Sequence, residues 1–152
     1  MATITDVGLL VEQTIEHLAS AKGPAEGWTP VQVLDHLSQV HTGVLLGLRS
    51  QVEMPRRHVG LALRRRIVNF LMLSAIPVPA RGALPACPEN ADFEAAAAKL
   101  RKLQAKLEKR IDEGVQDSWV CFVHPVGGPL NLNETLAFVH AHLMYHCKRA
   151  GK

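Results

Sequence analysis

Eight histidines stand among 152 residues, and two of them are spaced to act together. His142 and His146 are four residues apart, so on a helix both imidazoles leave one face with Cβ atoms about 5–6 Å apart. That separation lets two ring nitrogens meet one divalent ion at about 2.0–2.1 Å. Chance supplies such a pair in roughly a third of sequences this rich in histidine, so the pair alone decides nothing. Leu143, Met144 and Tyr145 lie between the two, without the glutamate of HExxH, which argues against a zinc peptidase.

A catalytic metal site takes three protein ligands and keeps an open position, and in a bundle the third comes from a facing helix. His36 is the candidate third ligand, because it lies beside Val33, Leu37 and Val40, on or near the apolar face of its segment. Ligation would satisfy a ring nitrogen that burial otherwise leaves wanting. A hydrogen-bonded core histidine fits the same pattern, and both readings stand at this point.

The other five histidines rank lower. His41 falls five residues past His36, at the edge of its face, where it can support a ligand rather than serve as one. His124 precedes Pro125 and is expected to structure a turn, with the mouth of the site as a second possibility. His140 points away from His142, His17 suits the C-terminal dipole of the first helix, and His58 joins Arg56 and Arg57 in a solvated basic cluster. Tyr145 adjoins His146 and is the candidate acid–base group, against the plainer reading of a packed tyrosine. Asp35 reads as an exposed helix carboxylate and Glu134 as a capping residue. Arg64 and Arg65 belong to five arginines within eleven residues and are the candidate anion-binding pair. A solvated basic face beside an apolar strip is the plainer reading of that run, and an anionic membrane surface a third.

The elements that must position these groups are all helical. Ile4, Val7, Val11, Ile15 and Leu18 predict a helix over 3–21, ended by Gly23, Pro24 and Gly27. Thr29, Pro30 and Gln32 spell an N-cap, a first-turn proline and a capping box, opening a helix that runs through Leu48. Pro55 sets off a shorter apolar segment over 59–74, and Pro77, Pro79, Pro85 and Pro88 make a loop to a cap at Asn90 or Asp92. Phe93 through Ile111 keep helical spacing until Gly114. Residues 115–130 read as a turn with at most a short extended piece, and Asn131 with Glu134 caps the last helix.

Four long helices and a short one predict an all-α four-helix bundle forming a single domain over 1–152. Aromatics at 5% against 47% hydrophobic residues fit aliphatic helix packing and exclude an aromatic-rich sandwich. A net charge of +3 is too mild to make nucleic acid the expected partner. No apolar run reaches the roughly 18 residues of a spanning helix. Asp6, Glu12 and Glu16 interrupt the first apolar pattern, unlike a signal peptide. Three widely spaced cysteines, Cys87, Cys121 and Cys147, without a CxxC predict a reducing, cytoplasmic setting. The aliphatic surplus allows a homodimer without demanding one.

Two stretches, read together, resemble a known family. Trp28-Thr-Pro-Val-Gln-Val-Leu-Asp-His36-Leu is one; His124-Pro-Val-Gly-Gly-Pro-Leu130, followed by His142-Leu-Met-Tyr-His146, is the other. The combination is similar to the DinB/YfiT-like superfamily, in particular a branch known only as a domain of unknown function, over about residues 28–150. In that family a W-[ST]-P-x-x-[VIL]-x-x-H-[LI] start supplies one metal-binding histidine, matching His36. A terminal H-x-x-x-H supplies two more, matching His142 and His146. Tyr145 departs from the branch, which often has a histidine there, and Ala150 stands where a polar Gln is common nearby. The resemblance implies a DinB-like bundle holding a divalent transition metal, nickel or zinc foremost.

A divalent ion on three neutral imidazoles keeps its charge and open positions, so it lowers the pKa of a water or thiol bound to it. Two chemistries on a small-molecule substrate follow: hydrolysis, or transfer of a low-molecular-weight thiol, which the resemblance implies more directly. The alternative is a non-catalytic bundle with a structural metal or a partner-binding role.

Overall fold

A computed structural model describes residues 2–21, 28–55, 59–74 and 87–149, and among these described residues the chain forms five helices and one small hairpin. His58 with Arg56 and Arg57, the glycines and proline expected to end the first helix, and Pro77, Pro79 and Pro85 lie outside those residues, as does Ala150. Helix α1 spans Ile4–Ala19, a little shorter than its apolar pattern, and starts at a Thr3/Asp6 capping box that the sequence reading missed. Helix α2 spans Pro30–Ser50 and opens as its sequence predicts. The Thr29 hydroxyl accepts from Gln32 N–H at 3.4 Å, and Gln32 Oε1 accepts from Thr29 N–H at 3.1 Å.

Helix α3 spans Val59–Leu73 and α4 spans Phe93–Asp112, with Asp92 rather than Asn90 as the cap of α4. Strands β1 (Phe122–His124) and β2 (Gly128–Leu130) pair antiparallel, Phe122 opposite Leu130 and His124 opposite Gly128. Here the structure goes beyond the expected single extended piece. Gly128 has a positive φ of 69°, a conformation glycine adopts without strain, and it brings the chain back along β1. Helix α5 spans Leu132–Arg149 behind the predicted Asn131/Glu134 box.

The bundle pairs α2 with α4 and α1 with α5, while α3 packs outside α5. Its interior is aliphatic: Leu34, Leu37, Leu48, Leu100, Leu107 and Leu143 are each at most 1% exposed. Each such leucine contributes about 1.5–3 kcal/mol by leaving water. The hairpin lies against α2, where a side chain at Gly47 would collide with the Cys121 carbonyl and one at Gly43 would meet the Phe122 ring. That close approach draws β1 and the start of α5 into the fold, and α5 carries two of the histidines. Among the described residues no helix is long and apolar enough to cross a membrane.

Candidate metal centre

The capping box at Thr29 fixes the start of α2, and with it the side from which His36 leaves the second turn. The Asn131/Glu134 box does the same for α5, so His142 and His146 emerge one above the other. The two helices bring the three rings together. His36 Nε2 lies 3.0 Å from His142 Nε2, which lies 3.1 Å from His146 Nε2. All three are buried, at 4%, 7% and 9% exposure, and their ligating atoms lie within 4.8 Å of one another.

This arrangement is awkward for imidazole alone. His142 Nε2 offers either one N–H or one lone pair to two neighbours, and each serves a single partner well. Burial holds every ring neutral: His36 is lowered to about 4, His146 to about 3, and His142 well below its ordinary value, each first by desolvation. Three neutral rings presenting Nε2 lone pairs to one point form a donor set for a borderline transition-metal ion. In that tautomer Nδ1 carries the proton, and the Nδ1 atoms of His36 and His142 have no acceptor among the described residues.

Aromatic packing holds these rings where hydrogen bonds usually would. Trp28 stands edge-on to His36 at 5.1 Å and nearly parallel to His146 at 6.5 Å. Phe138 stacks on His142 at 5.4 Å. Neither was singled out for this role in the sequence, although Phe138 precedes His142 by four residues, a spacing that puts it on the same helix face as that ring.

The other candidates fall into place around the centre. Tyr145 is buried, edge-on to His146 at 5.1 Å, with the Arg149 guanidinium 5.4 Å from its ring centre. His41 is tied elsewhere: its Nδ1–H donates to the Leu37 carbonyl at 2.9 Å, and Nε2 pairs with the Gln104 amide at 3.1 Å. His124 structures the turn as expected, its Nδ1 accepting from Val126 and Gly127 N–H at 3.1 and 2.8 Å. Its ring meets Phe138 edge-on at 4.7 Å, one ring removed from His142. Asp35 is 7% exposed rather than solvated, bonded to Gln39 and to the Lys99 ammonium at 3.2 Å.

Arg65 differs from its expected anion-binding role. Its guanidinium donates to the carbonyls of Gly127 and Pro129 and to Glu134 at 2.7–2.9 Å, clamping the hairpin to α3 and α5. Arg64 is exposed. Glu134 therefore caps α5 with one oxygen and anchors Arg65 with the other.

The family model described as the DinB superfamily matches residues 9–149. The chain belongs to the DinB superfamily. The match runs from within α1 to the end of α5 and takes in all three histidines of the centre. Comparison with curated proteins found no match, and comparison with solved structures found none either.

Proposed function

We propose that this DinB superfamily protein is a metal-dependent enzyme acting on a small molecule, with S-transferase-like chemistry on a low-molecular-weight thiol ahead of hydrolase-like chemistry. The observation that carries the reading is the convergence of three buried, neutral imidazoles through Nε2. Three donors among the described residues, rather than the four of a closed structural site, suit a centre that also receives a substrate. A divalent ion held there, zinc or nickel foremost, supplies Lewis acidity and favours the ionised form of a thiol or water presented to it.

The chain's own residues supply the rest. His36, His142 and His146 hold the ion from two helices whose starts are fixed by capping boxes. Trp28 and Phe138 orient the rings and keep water from their apolar sides. Tyr145, the chain's one tyrosine, is our candidate proton donor beside His146. The three thiols are free, which suits a reducing, cytoplasmic setting and a single-domain bundle held without disulfides among the described residues.

Elemental analysis of tag-free protein tests the reading. Near-stoichiometric transition metal is expected in the wild type and its loss in His142→Ala; wild type that stays metal-free and resists loading overturns it. Cobalt-substituted protein then separates the chemistries. A thiol-dependent change in the visible spectrum supports S-transfer, and none at saturating thiol rejects it.

A further inference from the structure

A cavity of about 330 Å³ opens between α3, the hairpin and the first turns of α5, and Phe138, which stacks on His142, is part of its lining. One part of its wall is apolar, made by Val68, Leu130, Ala137 and Phe138. The other part carries Arg66, Asn69, His124 and Asn133, with the Arg65–Glu134 pair beside them. An apolar wall faced by a few polar groups is the composition of a small-molecule site, and the volume is in the range of one.

The polar groups are those the fold has left unused. Because His124 Nδ1 accepts two backbone N–H groups, the neutral ring carries its proton on Nε2. The side chain is only 9% exposed, and that N–H finds no protein acceptor among the described residues. As part of the cavity lining, His124 leaves that donor free for an occupant. Arg66 makes no ion pair among the described residues, whereas Arg65 and Glu134 neutralise each other at 2.8 Å. The lining therefore carries one positive charge without an ion pair among the described residues, together with a fixed N–H donor.

We propose that this cavity binds a small aliphatic carboxylate, its oxygens received by His124 Nε2–H and Arg66 and its hydrocarbon part lying on Leu130, Ala137 and Phe138. The Arg65 clamp holds the site open by fixing Gly127 and Pro129, the backbone on which the His124 turn is built. The site goes beyond the metal-centre reading and does not depend on it. Its occupant lies one aromatic ring from His142, because Phe138 belongs to both walls.

Hexanoate titrated into metal-free protein, followed by heteronuclear NMR, tests the proposal. Saturable shifts are expected at His124 and Phe138, with hexanoate binding at least ~10-fold more tightly than hexanamide or hexylamine. Arg66→Ala is expected to weaken hexanoate about 10-fold, and His124→Gln by a similar factor. Arg66 is exposed, so its variant keeps the fold even if the turn at His124 does not survive substitution. No saturable shift, equal binding of hexanamide, or unchanged binding by Arg66→Ala overturns the site. Metal content measured on parallel samples keeps the two readings apart: failure to load metal with hexanoate still binding sinks only the proposed metal enzyme.

Discussion

Two buried histidines stand five residues apart on α2, and the fold treats them in opposite ways. His41, 1% exposed, has both ring nitrogens paired, one to the Leu37 carbonyl and one to Gln104 on α4. His36, 4% exposed, meets only other imidazoles through Nε2 and has no partner at Nδ1 among the described residues. Both lose their charge to burial, yet at His41 two hydrogen bonds oppose the shift and at His36 only the nearby Asp35 carboxylate does. The comparison separates a histidine that belongs to the protein's own hydrogen bonding from one whose lone pair is kept for something else. Burial alone does not distinguish them. Partners do.

The largest effect should come from giving the centre its ion. Saturating zinc or nickel at a thousandfold excess over Kd should stabilise the wild type by about 4 kcal/mol, read as a rise in Tm. His142→Ala should abolish that rise and lower metal affinity more than ~100-fold in chelator competition. His41→Ala should do the reverse. It removes a buried ring and strands the Gln104 amide, costing about 2–4 kcal/mol in urea denaturation while metal stoichiometry holds. A His41 variant that loses its metal would break the distinction.

Acid should sharpen it. An unfolded imidazole titrates near 6.5, whereas folded His36 is held at about 4 and His146 at about 3. Between those values the unfolded chain binds more protons than the folded one. Metal-free protein should therefore keep its full stability above pH 6.5 and lose it as the pH falls toward 4, by up to about 1.4 kcal/mol per pH unit for each such histidine. His36→Gln should flatten that slope more than His41→Gln, since the bonds at His41 already offset part of its shift. Equal flattening would make the two histidines alike.

The sequence made the helix starts legible because caps are local. Thr29, Pro30 and Gln32 needed nothing beyond their own turn, and neither did Asn131 with Glu134. The histidine pair on α5 was legible for the same reason, since spacing on one helix is local too. What separates His36 from His41 was not, because it rests on Gln104, sixty-three residues downstream of His41. Arg65 shows the same limit. Nothing nearby in the chain announces that its acceptors are Gly127, Pro129 and Glu134, so the clamp made by Arg65, one of two anion-binding candidates in that basic run, was not legible. Asp35 looked solvated because α4, which brings Lys99 to it, cannot be seen from α2 alone.

Asp35 also gives the smallest and finest test. Its carboxylate is buried next to His36 in sequence, and its Coulombic effect on that ring favours positive charge. A dication held by His36 would feel the same field, partly cancelled by the Lys99 ammonium 3.2 Å from the carboxylate. Lys99 is 55% exposed, so its share is weakened by water and salt. Asp35→Asn keeps the side chain's shape and removes its charge. We expect metal affinity to fall about fivefold, ~1 kcal/mol, in chelator competition at low ionic strength. His41 lies farther along the helix, where desolvation and its bonds to Leu37 and Gln104, not the Asp35 charge, set its protonation. If Asp35→Asn leaves metal affinity unchanged but destabilises the metal-free fold, the carboxylate serves the α2–α4 seam, as His41 does, and the boundary between the two kinds of histidine falls closer to His36 than drawn.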